Sequence, residues 1–177
     1  MERVLLDEKA LERSIIRIAH EILEKNQGSK NLSLIGIRTR GIFLAKRICE
    51  KISRIENREM PIGILDITMY RDDIATLKAP EVKKTDIPFT VNGMTIVLVD
   101  DVLHTGRTTR AAIDAIMDLG RPKRIQLAVL VDRGSRELPI QPDYTGTRYS
   151  AVTEEEEVSV RLQEMDGQDA VLLSKTL

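Results

Sequence analysis

The apolar positions of the chain fall into two patterns, a helical period and short uninterrupted runs of the kind that buried strands leave. Leu11, Ile15, Ile18 and Ile22 recur at helical spacing, which predicts a first amphipathic helix with Asp7 as N-cap and Gly28 as its stop. The run from Leu32 to Ile37 reads as a strand, and Leu44, Ala45, Ile48, Cys49 and Ile52 give the inward side of a second helix over about 42–53. Pro61 to Tyr70 predicts another strand. The polar stretch that follows, about 71–88, is too long for a tight connection, so a mobile functional loop is expected there. Val91-Asn92-Gly93 carries the Asn-Gly pair of a hairpin turn, and the apolar run from Thr95 ends in Asp100-Asp101. A third helix is predicted from about Arg107, with Ala112, Ile113, Ile116 and Leu119 inward, Gly120 as C-cap and Pro122 beyond. Ile125 to Val131 is the next buried strand.

Strands alternating with helices at this spacing imply an α/β fold with a doubly wound, mainly parallel sheet. The pattern then changes. Leu138-Pro139-Ile140 and Tyr144-Thr145-Gly146 read as irregular, Val158 to Leu162 alternates, and Asp166-Gly167 turns into Ala170 to Leu173. The segment from about 135 to 177 is therefore expected to form a small C-terminal β hood over the sheet's edge. Glu154 to Glu157 reads as a solvated run that discourages edge pairing. No repeat or low-complexity linker divides the chain, so residues 1–177 are expected to form a single domain.

Charge and cysteine usage narrow the classes. Lys and Arg number 27 against 28 Asp and Glu, a net charge of −1, so any nucleic-acid site must be a local patch. A single cysteine, Cys49, excludes an internal disulfide and lies in an apolar helical pattern. No apolar run is long enough to span a bilayer and Met1-Glu2-Arg3 starts no signal peptide, which points to a cytoplasmic protein with no membrane partner.

The candidate chemistry sits after the central strand. Thr105-Gly106-Arg107-Thr108 is a small-residue turn that opens a helix, and it points backbone N–H groups, two hydroxyls and a helix dipole at one spot. It is not a Walker loop, because Gly-x-x-x-x-Gly-Lys is absent and the acids precede it. Adjacent carboxylates beside a phosphate cradle suit a ligand with a vicinal diol next to a phosphate, such as ribose 5-phosphate. Arg38-Thr39-Arg40-Gly41, after the first strand, can present amides and cations to a second anion.

The stretch from Thr95 to Arg110 resembles the phosphoribosyl-pyrophosphate motif of type I phosphoribosyltransferases, and the loop at 38–41 resembles their pyrophosphate loop. Purine-salvage members typically carry an acid before the Thr-Gly of the cradle; His104 stands there, against a purine acceptor. Ile18–Glu21, Asp66–Asp73 and Gln126–Ile140 closely resemble the family of bifunctional pyrimidine operon attenuation regulators and uracil phosphoribosyltransferases. The resemblance spans nearly the whole chain. It implies conversion of uracil and phosphoribosyl pyrophosphate to UMP and pyrophosphate with Mg²⁺ carried by the donor rather than by a dedicated protein site. It also implies that Asp100 and Asp101 hold the ribose hydroxyls and orient that ion. Val102, Leu103, His104, Thr105, Gly106, Arg107, Thr108 and Thr109 would form the nucleotide-binding loop. Thr39 and Arg40 would hold pyrophosphate, with Asp100, Asp101 and Arg40 the catalytic set. Arg71 would open the flexible loop, and Arg133 and Val158 would line the uracil side. No general base is evident.

The same resemblance implies a second activity: binding pyrimidine operon leader RNA when uridine nucleotides (UMP, UTP) are bound. Arg13, Arg17 and His20 form a basic stripe on the outer side of the first helix, which suits phosphate contacts, and His20 and Arg136 stand where family members contact RNA. Ile16, Gln141 and Thr147 depart from the hydroxyl or basic residues expected there, with Arg148 nearby, and His104 replaces a tyrosine. These departures keep open an alternative, a uracil salvage enzyme with little or no RNA role. The family forms homodimers and higher assemblies, so a homodimer is expected.

Overall fold

A computed structural model describes residues 2–150, 153 and 155–175. Its elements are β1 (Arg3–Leu6), α1 (Glu8–Asn26), β2 (Leu32–Ile37), α2 (Arg40–Glu56), β3 (Ile62–Leu65), β4 (Thr95–Leu103), α3 (Arg107–Leu119), β5 (Arg124–Asp132), β6 (Tyr144–Arg148), β7 (Glu156–Arg161), α4 (Gln163–Asp166) and β8 (Ala170–Lys175), with short 3-10 turns at Thr68–Tyr70 and Ile74–Thr76. A five-stranded sheet runs β3-β2-β4-β5-β6, parallel throughout. α1 and α2 cover one face through Leu11, Ile15, Ile22, Leu44 and Ile48, while α3 covers the other through Ala111, Ala112 and Ile116. The doubly wound reading therefore holds. The order of strands reverses between β2 and β4, and the crevice at that switch is where ligands bind in such sheets.

The hood is a separate antiparallel sheet, β1-β8-β7. It is not wholly C-terminal, because β1 at the other end of the chain supplies an edge strand. Four residues with no turn before them gave no sequence pattern to read. Val158, Val160, Leu162, Val171 and Leu173 join the core beneath α1 and α2, so the hood continues that hydrophobic layer.

Several expectations require correction. Pro61–Tyr70 is strand only at Ile62–Leu65; beyond it the chain coils into 3-10 turns, since its ladder partner β2 ends at Ile37, opposite Leu65. Asn92-Gly93 does turn, with Gly93 at φ 69°, but no hairpin forms, because β4 pairs in parallel on both sides. Tyr144–Gly146 lies in β6 rather than in an irregular segment. Gly146 packs against Leu130 and the Tyr144 hydroxyl donates to Gln126. Leu119 is exposed at the end of α3, and Glu154 lies outside the described residues. Within the polar segment, Lys83–Asp86 is fastened to the outer edge of β3. Asp86 bridges Ile64, the Lys83 amide donates to the Asp66 carboxylate, and the Asp66 amide donates to the Thr85 hydroxyl. That cover satisfies an edge that would otherwise be open to pairing.

Gly36 and Gly41 let three backbones meet at the switch. A Cβ on Gly36 would lie 2.6 Å from both the Gly41 carbonyl oxygen and the Ile42 Cα, and one on Gly41 would run into the Val99 carbonyl oxygen. Gly36→Ala is therefore expected to lower stability by about 1–3 kcal/mol through overpacking. A urea titration should show a lower midpoint with an unchanged slope.

Candidate functional site

The cleft of the molecule opens at the carboxyl ends of β2 and β4. It holds about 420 Å³ and is bordered by Arg38, Thr39, Asp66, Thr68, Arg71, Lys83, Asp100, Asp101 and Thr108, among others. Neither helix that starts there is capped by the side chain of its own N-cap residue. The N-cap positions of α2 and α3 are Thr39 and Gly106, and neither makes a capping hydrogen bond. α1, which starts away from the cleft, is capped in the ordinary way by Asp7, whose carboxylate accepts from the Ala10 amide at 2.8 Å. Two helix N-termini with aligned dipoles thus face one crevice, an anion-binding arrangement in which the Arg107 amide donates to the Thr105 hydroxyl at 3.3 Å. Gly106 adopts φ 92°, a left-handed turn that bends the chain from β4 into α3.

Two carboxylates stand between these positive ends. Asp100 is 8% exposed, and its Oδ1 accepts from the Asp101 amide at 2.9 Å. Asp101 accepts from the Val102 amide at 2.8 Å. Burial, reinforced by the neighbouring Asp101 charge, raises the Asp100 carboxyl well above the usual carboxylate range. β4 extends to Leu103, so the acids lie within the strand's last turn of pleat rather than beyond its end. This rigid mounting fixes their spacing.

The structure sorts the expected residues. Thr39, Asp100, Asp101, Val102, Thr108 and Arg71 border the cleft together. A side notch of about 190 Å³ joins Arg71 to Thr105, Arg107 and Thr108. Leu103, Thr109 and Val158 are 2%, 3% and 8% exposed, and Leu103 and Val158 belong to the hydrophobic core, so their side chains are packing groups. Arg40 is displaced from its expected role. Its Nη2 pairs with Asp166 of the hood at 3.1 Å, its Nε is buried without a partner, and the cleft wall is instead lined by Arg38. Arg38, Asp66 and Lys83 escaped the sequence reading. Arg38 donates to the Lys84 carbonyl at 2.9 Å, which strings the polar segment across the cleft mouth.

Arg107 spans two carboxylates, Asp72 at 2.5 Å and Glu137 at 2.5 Å, and so ties the cradle to the loops on either side. Arg133 donates to the Glu156 carbonyl at 2.8 Å and lies 3.5 Å from His104 Nδ1. Burial first, then the Arg133 charge, lowers the His104 pKa, so the ring is neutral near pH 7.

Arg136 is the second correction. Its guanidinium donates to the carbonyls of Ile140, His104 and Gly134 and to Asp132 at 2.6 Å, with only 14% of the side chain exposed. It braces the 133–140 loop, whose Glu137 and Leu138 amides hold the Thr105 carbonyl. A surface cation for a partner it is not. Arg17 and His20 are exposed on α1, and Arg17 is steadied by Glu21 at 3.0 Å and by the Thr145 and Gly146 carbonyls. Ile16, the residue before Arg17, is 39% exposed. Gln141 is exposed and Thr147 half-buried on β6, whose last residue, Arg148, is 72% exposed.

The fold and this cleft define a class. A model of the phosphoribosyl transferase domain matches residues 3–164. Solved structures with the same fold include a hypoxanthine phosphoribosyltransferase of Trypanosoma cruzi (TM-score 0.72, 15% identity, 99% of this chain and 97% of that one) and one from Staphylococcus aureus (TM-score 0.71, 16% identity, 98% and 92%). Sequence relatives narrow it. The bifunctional protein PyrR of Pelotomaculum thermopropionicum is 58% identical over 97% of this chain and 95% of its own, and that of Halalkalibacterium halodurans is 51% identical over 99% and 98%. The chain belongs to the bifunctional PyrR family of phosphoribosyltransferase-domain proteins.

Two outcomes are expected. The fold favours protonated Asp100, so its contribution to stability is complete below the ordinary carboxylate range and is lost as pH rises through its raised value. In metal-free buffer Asp100→Asn should melt a few degrees above the unaltered protein at pH 7–8, the shift that about 1 kcal/mol gives at this size, with the two curves converging in acid. Arg136→Gln should cost about 2–4 kcal/mol in a urea titration, because it leaves Asp132 and three carbonyls without their donor.

Proposed function

We propose that the chain is a uridine-nucleotide-sensing, RNA-binding attenuator of a pyrimidine operon that also makes UMP and pyrophosphate from uracil and phosphoribosyl pyrophosphate. The observation that carries the enzymatic half is the pair of uncapped helix N-termini flanking two carboxylates in one cleft. The amides of the 105–109 turn and the hydroxyls of Thr105 and Thr108 bind the 5-phosphate. Asp101, with one carboxylate oxygen unengaged, and Asp100 accept the ribose hydroxyls. The start of α2 with Thr39 and Arg38 receives pyrophosphate, and Arg40 joins if its pair with the half-exposed Asp166 opens.

Breaking the bond at the anomeric carbon leaves negative charge on pyrophosphate, so donors aimed there stabilise the transition state more than the ground state. Among the described residues no group of three or more metal-ligating side chains gathers. The Asp100–Asp101 oxygens fit Mg²⁺ as one or two hard ligands beside donor oxygens, and when bound the ion supplies further screening of the leaving group. The segment from Arg71 excludes water from the oxocarbenium-like centre, drawn over the donor through Arg107 and Asp72. Neutral His104 and Arg133 stand on the uracil side without adding a carboxylate for a purine ring. Positioning and leaving-group stabilisation do the work without a dedicated base.

The regulatory half rests on Arg13, Arg17 and His20, exposed along α1, and on Arg148 beside them at the end of β6. A homodimer in the cytoplasm is the assembly and compartment that go with this reading; no helix among the described residues is long and apolar enough to cross a membrane.

The test is a titration of a labelled pyrimidine-operon leader hairpin, with and without UMP, at two salt concentrations, beside an assay of uracil turnover. Affinity should rise with UMP and fall with salt, and Arg17→Gln with His20→Ala should weaken it roughly tenfold or more while turnover persists. Affinity indifferent to UMP and salt would leave the enzyme alone; absence of uracil turnover would remove the catalytic half.

A further inference from the structure

The amino edge of the parallel sheet, opposite the cleft, carries a second concavity of about 270 Å³. It is bordered by Lys25 and Lys30, which bracket the end of α1, and by Lys123 and Arg124 at the start of β5. Asn26, Gln27 and Asn31 supply amides between them. Four cations therefore surround one hollow in a protein whose net charge is −1. Among the described residues Lys30, Lys123 and Arg124 form no ion pair, although eleven other Lys and Arg side chains do. No carboxylate borders the hollow. Only Lys25 has a counter-charge, Asp143, and like charges held together largely uncompensated cost free energy, so the arrangement is suited to an anion from outside.

The hollow is also built, not merely charged. Asn26 donates to Gln126 at 3.0 Å, to the Tyr144 hydroxyl at 3.1 Å and to the Ile22 carbonyl at 2.8 Å, locking the end of α1 to β5 and β6. Lys25 pairs with Asp143 and lies over the Tyr144 ring. The Asn31 carbonyl accepts from the Thr95 amide, which fixes the loop that presents Lys30 against the start of β4. The cations thus project from a rigid frame.

α1 connects this hollow to the stripe already described. It runs along β6 in the opposite sense, with Arg17 against Thr145 and Gly146 and Lys25 against Asp143. From Arg13 to Lys25 the helix rises about 18 Å, with Glu21 and Glu24 between, so stripe and hollow are two basic patches within reach of one RNA stem. We infer that the amino-edge hollow formed by Lys25, Lys30, Lys123 and Arg124 binds the phosphate backbone of the same RNA that the α1 stripe engages, extending its footprint around the end of α1. The inference rests on the RNA-binding reading above. An open, exposed rim of lysines and an arginine favours the sequence-independent backbone of a stem over an enclosed small ligand.

The experiment uses the full chain with UMP present and the triple variant Lys30→Gln, Lys123→Gln, Arg124→Gln, whose positions lie at the far edge from the catalytic cleft. Leader-hairpin affinity should fall about tenfold to a hundredfold near physiological salt, and the slope of log affinity against log salt should shrink by about 2, equally for hairpins altered in the loop. Uracil turnover should not change, which also reports that the variant is folded. If the unaltered protein binds the hairpin and the variant binds it equally well with the same slope, the inference is overturned while the attenuator reading stands. If the unaltered protein binds no RNA, both fall together. A titration with inorganic tripolyphosphate separates the sources of phosphate: heat of binding lost in the variant, with RNA affinity unchanged, would make the hollow a small-anion site and overturn the RNA assignment.

Discussion

Everything at the cleft depends on how closely three backbones approach at the switch of the sheet. Gly36 in β2 lies under the Gly41 carbonyl and the Ile42 Cα, and Gly41 lies against the Val99 carbonyl of β4. No side chain fits in either place, and neither glycine needs a left-handed φ, so the demand is one of space. The consequence is that the turn after β2 is pressed against the strand that carries Asp100 and Asp101. The open start of α2 is thereby held next to two carboxylates, at a separation the chain cannot relax.

That geometry has an electrostatic cost. A carboxyl buried beside another carboxylate is disfavoured as a charge, and Asp100 is accordingly raised. Two helix starts without caps forgo stabilisation that α1 takes from Asp7. A phosphorylated diol would relieve each of these at once, with phosphates against the helix starts and hydroxyls donating to the acids. The fold around the cleft is strained in charge in the sense that a ligand would complete, and the stability for it comes from the layers of aliphatic side chains on both faces of the sheet.

How much was legible follows from which patterns are local. β2 is legible at its observed bounds from a six-residue, mostly apolar run, and the start of α3 at Arg107 from a turn of small residues before an amphipathic run. The strand, turn and helix that carry the 100–109 stretch were legible for the same reason, since its acids, glycine and threonines are contiguous. β1 was not, because a four-residue strand whose partner lies at the other end of the chain leaves no local pattern. β6 was missed because Tyr144-Thr145-Gly146 looks like a turn, yet Gly146 is needed there to pass the Leu130 carbonyl. The cleft residues Arg38, Asp66 and Lys83 escape a sequence reading because a segment folds back over the edge of β3, through contacts between positions 17 and 46 residues apart that no periodicity encodes.

Arginines show the same limit most clearly. From sequence, Arg40, Arg107 and Arg136 look as available as Arg17, and each sits in a motif that invites a ligand. In the fold Arg107 and Arg136 are occupied by neighbouring carboxylates and carbonyls, and Arg40 leans on the hood. Their guanidinium forks serve as internal braces, a use for which a planar group with five donors is better suited than lysine. By contrast Lys30, Lys123 and Arg124 border a hollow with no carboxylate in its lining, and Arg17 keeps about half of its side chain exposed beside Glu21. A count of charges balanced near zero conceals this division entirely. What distinguishes an available cation from a structural one is how fully its donors are engaged and buried, which is a property of the fold, so a chain with no basic excess can still present local basic patches.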